Sequence, residues 1–304
     1  MTDRWHCNRN PPLNSIDVLP SLIGLVRLVR LSNSLSATAL VILGVDLIGA
    51  DVLDARVWWV AAAMWLITAW GYLTNDLFDV VEDRVNKPER PLPSGTVSIE
   101  LATNTGIVLA AGTMSITIAL GWLPFLAAIT VLLLLRFYNT RLKATAGNGN
   151  LLIATLAGLA LFPGAIVMSG WYLTAITPLI LPALILSCFV AARELLKGVE
   201  DQRGDRIAGK QTSAVVWGAE TTLRYVSLLA GITIGLTLLP IWLLNYSNGY
   251  LLCILVGVDL PLLIVIGYCQ TQQEAIITET QTVRQLLAIL KGCYAAGLLG
   301  LAIA

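Results

Sequence analysis

The sequence predicts an all-α membrane protein, with nine transmembrane helices around a central cavity and a polar, aspartate-rich cap on the cytoplasmic side. Three observations predict it. Hydrophobic types make up 57% of the 304 residues and charged types only 12%, against roughly 25% in a soluble chain, which is too few to cover a water-facing surface. Four stretches, 57–75, 101–135, 144–192 and 225–258, contain no Asp, Glu, Lys or Arg. A bilayer-spanning helix needs about 20 apolar residues, so each stretch holds one span or two. The basic residues, finally, all but follow one side of the resulting helix array.

The first helix is expected at 22–48, after a polar tail (1–20) without a signal-peptide pattern; Arg27 and Arg30 interrupt its apolar run. The second, 56–78, ends in a run of acids. Helices at 98–119 and 122–138 are divided by Gly121-Trp122-Leu123-Pro124, and those at 150–170 and 173–200 by Ser169-Gly170-Trp171. Helices at 221–244, 249–270 and 283–304 complete the nine, the first two joined by a turn from Asn245 to Gly249. No linker divides the chain, so 1–304 reads as a single transmembrane domain. With the N-terminus in the cytoplasm, all of the 19 Lys and Arg except Arg56 fall in the N-terminal region, the even-numbered connections or the helix ends beside them. That bias sets the orientation of a multi-pass protein in the cell membrane.

Composition also removes whole classes of chemistry. The single histidine, His6, lies in the tail, which excludes His-based zinc sites and Ser/His/Asp catalysis. Cys7, Cys188, Cys253, Cys269 and Cys293 have no metal-ligand spacing, and most read as small buried hydrophobes. Net charge is zero, and no nucleic acid is expected as a partner.

The chemistry lies in two acidic stripes. Asn75, Asp76, Asp79 and Asp83 close the second helix, and the aspartates at i, i+3 and i+7 share one face if the helix continues. Glu194, Lys197, Asp201 and Asp205 form a similar stripe at the end of the sixth. Four spans lie between them, so both clusters emerge on the same side. Five aspartates around one cavity repel one another and are costly near a bilayer unless a cation joins them. Oxygen donors without His or Cys point to a hard ion, and Mg2+ commonly binds through a few carboxylates plus substrate phosphates. The neighbouring Arg84, Lys87, Arg90, Arg193, Lys197, Arg203, Arg206 and Lys210 suit the remaining phosphate charge. The combination describes a diphosphate site, and the apolar span interior above which it sits implies that the rest of the substrate is greasy. Asp259, followed by Leu260-Pro261 within the eighth span, and Asp46 read as structural.

At these residues the chain resembles the UbiA superfamily of intramembrane prenyltransferases. The run from Asn75 to Gly95 follows that family's NDxxDxxxD motif and its Pro-rich tail, and Asp201, Asp205, Gly209 and Thr212 follow the second motif. Tyr138, Lys143 and Gly149-Asn150-Leu151 resemble the segment between spans four and five, and Arg30 and Asn33 the N-terminal element. The resemblance implies that Asn75, Asp76, Asp79, Asp83, Asp201 and Asp205 hold Mg2+. It implies that Arg84, Lys143, Arg193 and Lys197, with Arg30, Asn33, Lys87, Arg90 and Tyr138, bind the substrate, and that Asp79, Asp83, Asp201, Asp205 and Lys197 carry catalysis. An allylic prenyl diphosphate would lose its diphosphate, and a lipophilic acceptor would capture the cation. Trp65, Trp70, Tyr72, Phe137 and Tyr138 are candidates to stabilise that cation through their ring faces.

The spacing from Arg193 to Asp205 is similar to the digeranylgeranylglyceryl phosphate synthase branch, which implies a C20 donor and geranylgeranylglyceryl phosphate as acceptor. Thr212-Ser213-Ala214 departs from that branch's Thr-Leu-Pro. Two alternatives share the metal site: a terpene cyclase acting without an acceptor, and an enzyme prenylating an aromatic or quinone precursor. A transporter would place its polar groups nearer the midplane on broken helices, where only Asp259 stands.

Overall fold

A computed structural model describes residues 18–170 and 172–304; His6, Cys7, most of the polar tail and Trp171 lie outside them. The described chain is helical, in the order α1 (Val18–Leu28), α2 (Leu31–Leu47), α3 (Ala55–Phe78), α4 (Val80–Asn86), α5 (Ile99–Leu120), α6 (Trp122–Thr140), α7 (Asn148–Leu159), α8 (Phe162–Ser169), α9 (Leu173–Ile176), α10 (Ile180–Ile207), α11 (Ser213–Val216), α12 (Ala219–Thr237), α13 (Leu239–Leu243), α14 (Asn248–Ile254), α15 (Leu260–Thr271), α16 (Gln273–Thr278) and α17 (Thr280–Ala302). Seven spans are long and apolar enough to cross a membrane, and two bent pairs, α1–α2 and α7–α8, bring the described total to the nine expected.

Local chemistry sets most of the ends. Asp54 caps α3 by accepting from the Arg56 N–H at 2.8 Å, and Ser98 caps α5 by accepting from Leu101. Gly121, at φ 129°, supplies the left-handed turn into α6.

Four helices depart from the sequence expectation. The 22–48 span is not straight: it bends by 45° where Arg30 takes a left-handed φ of 45°, and Ser34 Oγ bonds the Val29 carbonyl. The 150–170 span bends by 41° ahead of Pro163, which cannot donate a backbone hydrogen bond. At this bend α2 packs tightly, because Gly44 has no side chain; a Cβ there would lie 1.8 Å from the Leu161 carbonyl oxygen. The sixth span begins as expected, at Thr174, but runs on past 200 to Ile207, so the second acidic stripe rides on one helix. The eighth holds a π-helical turn at Leu255–Asp259, where Thr237 bonds Asp259 Oδ1 at 2.9 Å.

Packing divides into two groups. In one, α3 packs against α2, α5 and α6; in the other, α10 packs against α7, α12 and α17. The larger apolar core lies in the second group, with Leu196, Leu223, Leu262 and Leu290 all buried. Between the groups runs a cavity of about 1040 Å³, lined by residues of α2, α3, α5, α6, α7, α8, α9, α10 and α17. Its walls are mostly Ala, Leu, Ile and Val, and its polar residues gather toward the end that carries the aspartates.

Candidate active site

The first acidic stripe survives a helix break. Asp79, at φ −94° and ψ 7°, ends α3 and begins α4. The i→i−4 bonds from Asp79 N to the Asn75 carbonyl (3.0 Å) and from Asp83 N to the Asp79 carbonyl (2.8 Å) carry the helical path through it. Asp76, Asp79, Glu82 and Asp83 are therefore all buried together. Asp201 and Asp205 face them from α10.

The two stripes are close because Gly204 lets α4 approach α10. A Cβ at Gly204 would stand 2.1 Å from Asn86 Nδ2, and that amide donates to the Asp201 carbonyl at 3.2 Å. Lys87 then crosses between the clusters, bonding Asp201 Oδ1 at 2.6 Å. Lys210 crosses the other way to Asp79 Oδ1 (3.1 Å) and Glu82 Oε1 (2.6 Å). Lys143, on a 3₁₀ turn (Leu142–Ala144) after α6, donates to Asn75 Oδ1 at 2.8 Å and to Asp79 Oδ2. Arg90 bonds Asp83 Oδ2 at 2.6 Å and reaches Asp76 at 3.3 Å; Arg30 bonds Asp76 at 2.7 Å and lies 4.8 Å from the centre of the Tyr72 ring. On the cavity side, Arg193 and Lys197 both pair with Glu194. Thr212 donates to Asp205 Oδ2 at 3.1 Å. Ser213 accepts from Gly147 N, pinning the loop after α10 to the loop before α7.

Charge balance follows from these contacts. Burial pushes the Asp79 carboxyl upward, but Lys143 and Lys210 overcome it and hold the group at about 2. Asp83 goes the other way: burial raises it above the ordinary carboxylate range, although Arg90 opposes the rise. Burial disfavours the charged forms of Lys210 and Arg90 as well, yet their acidic neighbours raise both.

Most of the expected residues meet here. Asp76 and Asp83 with Arg30 and Arg90, Asn75 and Asp79 with Lys143, and Asp201 with Lys87 form three adjoining groups of ion pairs and hydrogen bonds, with Asp205 held by Thr212, while Asn33, Tyr138, Arg193 and Lys197 line the cavity beneath them. Arg84, Arg203 and Arg206 do not join; all three are exposed and make no ion pair among the described residues. They lie on the outer faces of α4 and α10, so the expectation that Arg84 binds substrate is not met by its position. Of the aromatic candidates, Tyr72 and Tyr138 line the cavity, Trp65 and Trp70 of α3 pack against the cluster of Val29, Ala69, Leu73 and Leu109, and Phe137 is exposed. Three members were missed: Glu82, one residue off the aspartate stripe; Asn86, whose role depends on a glycine 118 positions away; and Lys291. Lys291, counted above among the helix ends, lies instead in mid-span, and a lone charge in an apolar run was the signal for it.

The donor set fits a hard divalent ion. It is all oxygen, and Glu82 Oε2 is buried without a hydrogen-bond partner. Among the described residues no three acidic side chains already stand as a closed ligand group. Each is drawn instead to a lysine, an arginine or a hydroxyl.

Comparison with known proteins gives a consistent answer. Residues 35–280 match the UbiA prenyltransferase family. A digeranylgeranylglyceryl phosphate synthase from Sulfolobus acidocaldarius is 34% identical over 224 residues, covering 74% of this chain and 78% of that one. Another from Halobacterium salinarum is 38% identical over 205 residues, covering 66% and 71%. In shape the chain is similar to a UbiA homologue from Aeropyrum pernix (TM-score 0.70, 19% identity, 88% of this chain and 98% of that one). It is also similar to a UbiA homologue from Archaeoglobus fulgidus bound to DMAPP and Mg2+ (0.58, 18%, 92% and 99%). At such identities the structural likeness carries the fold.

Proposed function

The chain belongs to the UbiA prenyltransferase family, and from that premise we propose that it transfers a C20 prenyl group from its diphosphate to geranylgeranylglyceryl phosphate, with Mg2+ as cofactor. The observation that carries the reading is the pairing of two aspartate clusters with a 1040 Å³ apolar cavity directly beneath them. The relatives named as digeranylgeranylglyceryl phosphate synthases support the donor and acceptor.

Asn75, Asp76, Asp79, Asp83, Asp201 and Asp205 would hold Mg2+, which supplies charge neutralisation for the departing diphosphate. The chain's own cations do the rest. Lys143 and Lys210 sit on Asp79, and Lys87 on Asp201; each is placed to exchange a carboxylate for a phosphate oxygen without crossing the site. Arg193 and Lys197 line the cavity beside Glu194 rather than the clusters and suit anionic groups of the substrates held there. The apolar walls exclude water from an allylic cation, and Tyr72 and Tyr138 present the rings nearest its formation. The acidic end faces the cytoplasm in this account, a reading the basic-residue bias supports.

The test supplies purified protein with Mg2+ and geranylgeranyl diphosphate, with and without acceptors. Diether phosphate formed only when geranylgeranylglyceryl phosphate is present is expected. Hydrocarbon or cyclic alcohol formed equally well without any acceptor would instead make the protein a cyclase, and adducts with aromatic acids alone would move it to the aromatic branch.

A further inference from the structure

Five cations line the cavity, and four have a carboxylate partner: Arg30 with Asp76, Arg56 with Asp54, and both Arg193 and Lys197 with Glu194. Lys291 lines the same cavity and has neither an ion pair nor a hydrogen bond among the described residues. It stands eleven residues from each end of α17, about 16 Å along the axis at 1.5 Å per residue. A lysine there is too deep to reach the membrane surface by extending its side chain. An ammonium held at mid-span is costly, and such groups face a cavity with a partner to bind.

Two contacts fix its level. The Phe189 and Tyr294 rings are 6.3 Å apart, and Arg284 bonds Glu200 at 3.0 Å. Helices α10 and α17 run antiparallel, so these pairs bracket Lys291 and set it opposite Ala192 and Arg193. At and just above that level stand Arg193, Lys197 and Lys291, with Glu194 the carboxylate among them; three cations less one carboxylate leave two positive charges. Lys291 and Ala295 on α17 and Ser32 on α2 both line the cavity and are exposed, so the place is reachable from the side of the bundle.

We infer that Lys291, together with Arg193, binds the phosphate headgroup of a lipid acceptor, at a position separate from the aspartate clusters. A phosphate monoester carries about −1.5 to −2 near neutral pH, which matches the two spare charges; a carboxylate would leave one over. The donor diphosphate has its own cations, already gathered on the aspartates. The occupant named here rests on the transferase reading, but the site is tested by binding alone.

The experiment measures equilibrium binding to the purified protein, without donor or Mg2+, of geranylgeranylglyceryl phosphate, the same ether lacking its phosphate, and inorganic phosphate. Lys291→Gln should weaken the phosphate-bearing ether by about tenfold or more, roughly the worth of one charge-assisted hydrogen bond. It should leave the dephosphorylated ether unchanged, and Lys291→Arg should retain most of the affinity. A separate titration with geranylgeranyl diphosphate and Mg2+ should not respond to Lys291→Gln. Equal binding of the phosphate-bearing ether by wild type and Lys291→Gln would overturn the inference, as would equal losses for both ethers or a loss falling on the diphosphate. Inorganic phosphate bound as tightly as the ether would reassign the site to a free anion. Binding that behaves as expected in a protein that never forms diether would leave the site standing and reject the transferase reading.

Discussion

Gly204→Ala should separate activity from stability. The new Cβ would stand 2.1 Å from Asn86 Nδ2 and within 2.6 Å of two further atoms of that carboxamide. An ordinary contact is about 3.4 Å or more, so Asn86, and with it the end of α4, must retreat by roughly 1.3 Å. Stability changes little. Alanine gains up to about 1 kcal/mol over glycine inside a helix, against roughly 1–3 kcal/mol for overpacking, a net loss of about 0–2 kcal/mol. Catalysis is less tolerant, because a displacement near 1 Å between groups that must act together can cost roughly 10²-fold. Initial rates of diether formation should fall by that order while the thermal midpoint in detergent shifts by only a few degrees. Asn86→Ala in the same chain removes the colliding amide, so the double variant should recover to the level of Asn86→Ala alone. Gly204→Ala with an unchanged kcat/KM would refute the claim that this contact sets the spacing of the two clusters.

Asp79→Ala or Asp201→Ala should abolish turnover while leaving the fold intact, and excess chelator should do the same to wild type; full turnover in any of these cases would remove the metal site. Lys143→Ala should lose about 10²-fold in rate, whereas Arg84→Ala should stay within about twofold, since Arg84 points away from the cavity; equal losses would restore Arg84 to the site. Gly44→Ala should destabilise by roughly 1–3 kcal/mol, because its Cβ meets a backbone oxygen of Leu161 that cannot rotate away, and an unshifted melting curve would contradict that packing. Cysteines placed at 88 or 203 should resist impermeant labelling from outside intact cells; labelling there would reverse the proposed orientation.

The nine spans and both acidic stripes were readable because each depends on neighbours along the chain: apolar runs of bilayer length, and acids three and four residues apart. Three features were not. Arg30 takes a left-handed backbone with no glycine or proline to mark it, and is tied there by Asp76 and Tyr72. The sixth helix continues to Ile207 beyond its apolar run because its charged tail finds partners across the site, which span length does not encode. And the cations were legible as phosphate ligands but not by facing: Lys87 reaches Asp201 across 114 positions, while Arg84, three residues earlier, points outward. The aspartate positions were thus local information, and the choice among neighbouring cations was tertiary. Ser213 belongs to the same class, since its difference from the ether-lipid branch pins Gly147 and touches no expected ligand.

The central claim is that the two clusters hold Mg2+ and that Mg2+ holds the diphosphate. The most direct measurement is the affinity of the purified protein for an unreactive thio-analogue of geranylgeranyl diphosphate as Mg2+ is titrated. Tight binding should appear only with Mg2+, saturate with it, and vanish in both Asp79→Ala and Asp201→Ala, one from each cluster. Equal affinity in excess chelator, or a variant of either cluster that binds as wild type does, would contradict the account.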